Sequence, residues 1–268
     1  MRVGSGASSR TRLVDAALGI LGLALIVGFW WLLSTQLQPI QLPAPDVVWH
    51  AAVDNLWDMP ALNYATYQSG GIVDGLVYTA QNVFLGVGIG LVLGSALGLT
   101  MGRSRFTGTL LDPPMVLLGT VPVLIVLPFI VTWFGTARLA QTGLVIFFSF
   151  VAVAAVVRNA VVSVAGSYEH SARALGASRS TVLRHVVLPA ITPELVAVIR
   201  VCLAAAWGFE AIAEILGAQH GVGRIIQAMG TQSATPELMA TVICLAILAV
   251  FVDALVVVIA KTTMRWTD

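Results

Sequence analysis

The sequence predicts an all-α fold: a polytopic membrane bundle of six transmembrane helices with both termini in the cytoplasm. Three observations predict it. The 268 residues are 58% apolar and only 10% charged, with a mean hydropathy of +0.92, and a water-soluble ball of this size needs far more polar surface. The apolar residues gather into six continuous stretches, each long enough, at about 1.5 Å per residue, to cross about 30 Å of hydrocarbon. Arginine and lysine collect in alternate connections, as the positive-inside rule requires. The same composition excludes an ordinary cytosolic enzyme, a disordered chain and a nucleic-acid binder with a basic face. A closed β-barrel would show alternating ten-residue segments instead of continuous runs.

Residues 1–13 form a cytoplasmic tail. The first span covers 14–33, from Val14 to Leu33. It is too long for the apolar region of a signal peptide, and Gln38-Pro39-Ile40 lacks a small-x-small cleavage site, so it is read as a retained helix. Residues 34–75 form an extracytoplasmic loop that holds Asp46, Asp54, Asp58 and Asp74 but no lysine or arginine. Within it Pro45-Asp46 can start a helix that runs to about Trp57. Trp49 and Trp57 are either anchors at the membrane interface or ordinary loop aromatics.

Residues 76–260 form a five-helix core, with a cytoplasmic loop at 158–192 and a cytoplasmic tail at 261–268. The second span runs from Leu76 to Met101, the third from Pro114 to Trp133 and the fourth from Leu139 to Val157. The fifth runs from Pro193 to Leu216 and the sixth from Leu238 to Ala260. With the N-terminus inside, only Arg138 and Arg224 fall outside, and Arg200 lies within the fifth span.

The spans carry their own signals. Gly86, Gly90, Gly94, Gly98 and Gly102 recur every four residues and mark one helix face built for close packing. Pro122 and Pro128 kink the third span, which is expected to face the bundle interior, and both are candidates for pathway or gating roles. Arg200 and Asp253 lie about two turns from the cytoplasmic ends of their spans, so they are predicted to form an intramembrane pair. Glu210 and Glu214, one turn apart, either line a polar pathway, cap the bundle's outer end or reach the outer interface. Cys202 and Cys244 lie in apolar runs and read as buried hydrophobes. The single lysine, Lys261, follows no glycine-rich loop, so no P-loop is present.

The cytoplasmic loop is the most informative stretch. It reads Tyr168-Glu169-His170-Ser171-Ala172-Arg173-Ala174-Leu175-Gly176-Ala177-Ser178 and continues to Val186-Val187-Leu188-Pro189. The spacing predicts a two-turn helix closed at Gly176 by a positive φ, with Arg173 favouring its negative end. A second helix should follow, N-capped by Ser178 and stopped at Pro189. A short capped helix in such a loop can dock on a partner and pass on a rigid-body movement.

This stretch resembles the coupling-helix signature of ABC importer permeases, E-A-A-x-x-x-G-x(9)-I-x-L-P. Gly176 takes the glycine position, and Val186, Leu188 and Pro189 take the I-x-L-P positions. Ala172 matches the second alanine, Ser171 replaces the first, and His170 stands at the glutamate position with Glu169 just before it. Further segments resemble the nitrate/sulfonate/taurine-type branch: Leu42-Pro43-Ala44-Pro45, Leu111-Asp112-Pro113, Thr120-Val121-Pro122 to Trp133-Phe134-Gly135, Ala213-Glu214 and Gly221-Val222-Gly223. Together they cover the chain from about residue 40 to 230.

The resemblance implies a type I ABC importer permease fold in the cell membrane. It implies that residues 169–178 engage a separate ABC ATPase subunit, which uses ATP and Mg, while this chain binds no cofactor and has no catalytic or metal site. It implies a second permease chain as homodimer partner and an extracytoplasmic solute-binding protein that delivers a small organic anion, such as a sulfonate, taurine or nitrate. Some members of the branch carry neutral heterocyclic vitamin precursors. Without the resemblance, an ion- or proton-coupled secondary transporter or channel is the alternative, but it gives the glycine-to-proline spacing no purpose and the halves show no inverted repeat. A membrane-embedded enzyme would need nucleophile, base or metal ligands clustered at one depth, and His50, His170, His185 and His220 are scattered.

Overall fold

Run length and proline placement decide most of the architecture. The computed structural model describes residues 9–66, 70–135, 138–164 and 176–263, and among these every regular element is helical. They are α1 (Ser9–Ser34), α2 (Pro45–Asp54), α3 (Pro60–Thr66), α4 (Ile72–Arg103), α5 (Arg105–Thr120), α6 (Val123–Phe134) and α7 (Arg138–Val164). Then follow α8 (Arg179–Val182), a π-helical turn (Leu183–Val187), α9 (Leu188–Gly217), α10 (Val222–Thr231) and α11 (Thr235–Thr263). Five helices are long and apolar enough to cross a membrane, or six if the bent pair α5–α6 counts as one span.

Four of the expected spans appear as single helices longer than the apolar runs that foretold them: α1, α4, α7 and α11. Polar end turns account for the difference, because helical hydrogen bonding continues past the point where hydropathy falls. α1 touches the rest of the chain mainly through Trp30, whose Nε1 donates to the Pro43 carbonyl at 3.0 Å. Pro45 opens α2 and Asp46 lies in its first turn, as the sequence suggests. α2 ends at Asp54 and not near Trp57, because Asn55 leaves the helical path as the C-cap and its Nδ2 donates back to the Ala51 carbonyl at 2.8 Å. Trp49 and Trp57 are both exposed.

The glycine stripe of α4 lies directly on α7. A Cβ at Gly90 would stand 2.5 Å from Ser149 Cβ, and one at Gly94 2.7 Å from the Phe150 carbonyl oxygen. Only glycine permits this backbone-to-backbone approach, where dispersion and not water exclusion drives packing in lipid. Val83, Val87, Val145, Val153 and Val157 fill the seam, and Cys202, Leu203 and Trp207 of α9 close it. A second core joins α2, α3, α10 and α11 around Val48, Met59, Ile72, Ile225 and Met229.

The third span departs from expectation. It is not one kinked helix but two, α5 and α6, meeting at 96°. Pro122 supplies no N–H and forbids α geometry to its predecessor, so Val121 adopts φ −69°, ψ 123° and α5 ends there. Pro128, in contrast, sits inside α6, and Pro113 and Pro114 sit inside α5. The pair does not lie at the interior of this chain: α5 buries only Gly108, while α6 buries Leu127 and Ile130.

The fifth span also differs. Ser178 does N-cap the helix that follows, with its Oγ accepting from the Thr181 N–H at 3.2 Å. That helix does not stop at Pro189. Proline lacks the N–H and its ring would strike the carbonyl of His185, yet the turn widens to a π bulge, in which Leu188 N–H bonds the Leu183 carbonyl. Pro189 then falls in the first turn of α9, and the helix from Ser180 to Gly217 runs without a gap for 38 residues.

Candidate functional site

Gly176 is exposed and adopts φ +84°, the left-handed conformation the sequence requires of it. A Cβ there would meet nothing within 4 Å, so backbone strain alone selects glycine. Glu169, His170, Ser171, Ala172, Arg173, Ala174 and Leu175 lie outside the described residues. Ala177 and Ser178 lead straight into the long helix. Val187 is buried, and Val186 packs half-buried against the main core, so the foot of this helix is anchored by side chains as well as by its own backbone. Leu188 is exposed and Pro189 half-buried. At about 1.5 Å per residue, 38 residues form a lever about 57 Å long. The helix that begins four residues after Gly176 therefore reaches Gly217 as one element.

The far end of that lever is held by a buried polar cluster. Glu214 and Glu210 are both fully buried. The Glu214 carboxylate accepts from Thr79 Oγ1 at 2.8 and 2.9 Å and from the Gly223 N–H at 2.8 Å. Thr79 Oγ1 accepts in turn from the Val222 N–H at 3.0 Å. A carboxylate thus occupies the N-terminus of α10, where the helix dipole and unpaired N–H groups favour it. Gly221 and Gly223 leave the room this needs, because a Cβ at either would collide with Glu214. Glu210 Oε1 accepts from Asn82 Nδ2 at 2.8 Å, while its Oε2 makes no hydrogen bond among the described residues.

Arg138 borders the cluster. Its Nε donates to Asn82 Oδ1, its Nη2 to Gln81 Oε1 at 2.8 Å, and its guanidinium lies 5.0 Å from the centre of the Tyr78 ring. Tyr78 donates to Gln141 Oε1 at 3.1 Å, which ties α4 to α7 again. The sequence singled out Glu210 and Glu214 but missed Tyr78, Thr79 and Asn82. Their signal was present, because three polar residues spaced one and three apart within an apolar span mark an interior face.

Arg200 and Asp253 meet as expected from their depths, with Nε to Oδ1 at 2.7 Å and Nη2 to Oδ2 at 2.8 Å. Pro122 and Pro128 do not join the carboxylates; Pro122 forms the α5–α6 corner and Pro128 lies within α6. Between that corner and α7 opens a cavity of about 370 Å³ with Val116, Gly119, Phe148 and Val151 in its walls. Arg158 and Asp112, also in its lining, form an ion pair 2.9 Å long. Among the described residues no group of three or more His, Cys, Asp or Glu could hold a metal ion.

Comparison with known proteins agrees with this architecture. Residues 86–265 match the family described as binding-protein-dependent transport system inner membrane component. The chain is 29% identical over 245 residues to the taurine transport system permease protein TauC of Escherichia coli (strain K12), covering 91% of this chain and 86% of that one. It is 29% identical over 200 residues to the putative aliphatic sulfonates transport permease protein SsuC of Bacillus subtilis (strain 168), covering 75% of this chain and 72% of that one. Among solved structures it is similar to a chain of a bacterial alginate ABC transporter in complex with a pentasaccharide-bound periplasmic protein. That likeness has a TM-score of 0.59 at 17% identity and covers 94% of this chain and 95% of that one. The apolar helices, the bent third span and the long lever behind Gly176 therefore belong to a multi-pass permease subunit of an ABC importer, a member of the binding-protein-dependent inner-membrane component family.

Proposed function

We propose that this permease works as one of two identical copies and that residues 169–178 seat a separate ATPase subunit on the cytoplasmic side. Both termini are then cytoplasmic, and α2, α3 and α10 lie on the side where a solute-binding protein delivers its cargo. The ATPase binds ATP and Mg, and this chain contributes neither. The cargo is a small organic anion of the sulfonate class, with zwitterionic taurine carrying the same sulfonate group and nitrate as an inorganic counterpart. One observation carries the reading: a left-handed Gly176 is followed within two residues by the N-cap of a helix that runs unbroken to the Glu214 cluster. Such a helix converts movement of a docked partner into movement at the opposite membrane face. The taurine and sulfonate permeases it resembles favour a cargo that carries a sulfonate group.

The experiment is Gly176→Val in the transporter assembled with its ATPase and binding protein in proteoliposomes. A β-branched residue at φ +84° costs at least about 1–2 kcal/mol and deforms the segment. Membrane insertion should persist while solute-stimulated ATP hydrolysis and uptake fall together. Unchanged uptake would remove the assignment of the segment.

A further inference from the structure

Arg200 and Asp253 form a bidentate pair within two apolar helices, yet the pair faces outward from the chain, with side chains 45% and 42% exposed. Against hydrocarbon such groups are expensive. The exposed surface of α11 otherwise carries large apolar side chains, such as Ile247, Val250, Phe251 and Val258. The α9 face around Arg200 differs. Ala197, Val201, Ala204 and Gly208 form one exposed stripe beside it, in which Val201 is the one large side chain, and a Cβ added at Gly208 would meet nothing within 4 Å. The opposite face of α9 packs inward through Val198, Cys202 and Trp207.

The pairing is lopsided. Both Asp253 oxygens are engaged by Arg200, whereas Arg200 Nη1 makes no hydrogen bond among the described residues. The pair therefore presents N–H donors to its surroundings beside Ala197, Ala204 and Gly208, with Val201 between them. Hydrocarbon offers those donors no acceptor; water or an anion does.

We propose that this α9 face lines the aqueous solute path and that Arg200 is a contact within the span for a small oxyanion, a sulfonate, carboxylate or nitrate. Asp253 tempers the charge, so that the anion binds weakly enough to leave. This rests on the importer reading above and deepens it by placing a solute contact on this chain.

The test replaces Cys202 and Cys244 by alanine and introduces Ala204→Cys or, as a control, Phe251→Cys, in the assembled transporter in proteoliposomes. Each is treated with anionic sulfonatoethyl methanethiosulfonate and its cationic trimethylammonioethyl analogue. Labelling is expected at position 204 but not at 251, with the anionic reagent favoured by about tenfold once each rate is divided by that reagent's rate with a free thiol in solution. Asp253→Asn should enlarge that preference, Arg200→Gln should abolish it and Arg200→Lys should keep it. Absence of labelling at 204, or labelling without charge preference, overturns the proposal. A cross-link between two copies through Ala204→Cys that excludes both reagents also overturns it. ATP hydrolysis stimulated by the loaded binding protein, measured on the same vesicles, reports on the importer reading separately.

Discussion

Thr79 and Glu214 stand 135 positions apart in the chain, and the hydroxyl of one donates to the carboxylate of the other at 2.8 Å. With the Gly223 N–H on the same carboxylate, this contact fastens α4, α9 and α10 at the end farthest from Gly176. Any movement that arrives along α9 is thereby delivered to α4 and to the turn before α10.

Glu214→Ala should strip a fully buried cluster of its acceptor. Thr79 Oγ1 and the Gly223 N–H lose their common partner, at about 1–3 kcal/mol for each buried group left unpaired. Thermal unfolding of the detergent-purified permease should show a clear loss of stability. Glu214→Gln, which keeps one carbonyl acceptor, should recover part of it, and equal Tm values for both variants would argue against the clasp.

The α4–α7 seam predicts a sharp positional contrast. Gly94→Leu places a side chain where a Cβ alone would lie 2.7 Å from a backbone carbonyl, whereas Gly88→Leu projects into open space on the same helix. The first should abolish recovery of monodisperse protein, because overpacking against backbone has no rotamer escape. The second should leave it intact. Size-exclusion chromatography after membrane extraction distinguishes the two.

Asp112 and Arg158 make a pair of a different kind. Their side chains are 43% and 30% exposed, so the pair contributes no more than about 1 kcal/mol. Asp112→Asn should lower Tm only slightly, and the difference should shrink further in high salt. A large loss would mean that the cavity beside α7 depends on this pair.

Local chemistry made much of this structure legible. Periodic glycines announced the α4–α7 contact, and equal depth along two helices was enough to bring Arg200 to Asp253. Ser178 and Gly176 were readable because capping and positive φ are short-range demands. What stayed hidden depends on context. Pro122 and Pro189 are chemically alike, but the first breaks its helix through 96° while a π turn absorbs the second. Val187 and Ile191, which flank Pro189, are both buried in the main core, a tertiary context that hydropathy does not encode. The side-chain partners of Glu210 and Glu214, Asn82 and Thr79, lie on another span, more than 120 positions away, and no spacing rule connects them.

The π turn carries a prediction of its own. Pro189→Ala restores an N–H and removes the clash with the His185 carbonyl, so residues 183–187 can return to α geometry. That change rotates the Gly176–Val182 segment by about 100° relative to α9, one residue of an α-helix. Solute uptake per ATP should fall while Tm is unchanged or raised. Preserved coupling would show that the bulge has no part in transmission.

The Gly176 segment is the proposed seat of the ATPase. Its most direct measurement is photo-cross-linking from a benzophenone amino acid at Ser178, which is exposed two residues beyond Gly176, in the fully assembled transporter. A covalent adduct with the ATPase subunit is expected, with a yield that changes when ATP is added. Its absence, while the same probe at Trp57 captures the binding protein from the other face, would contradict it.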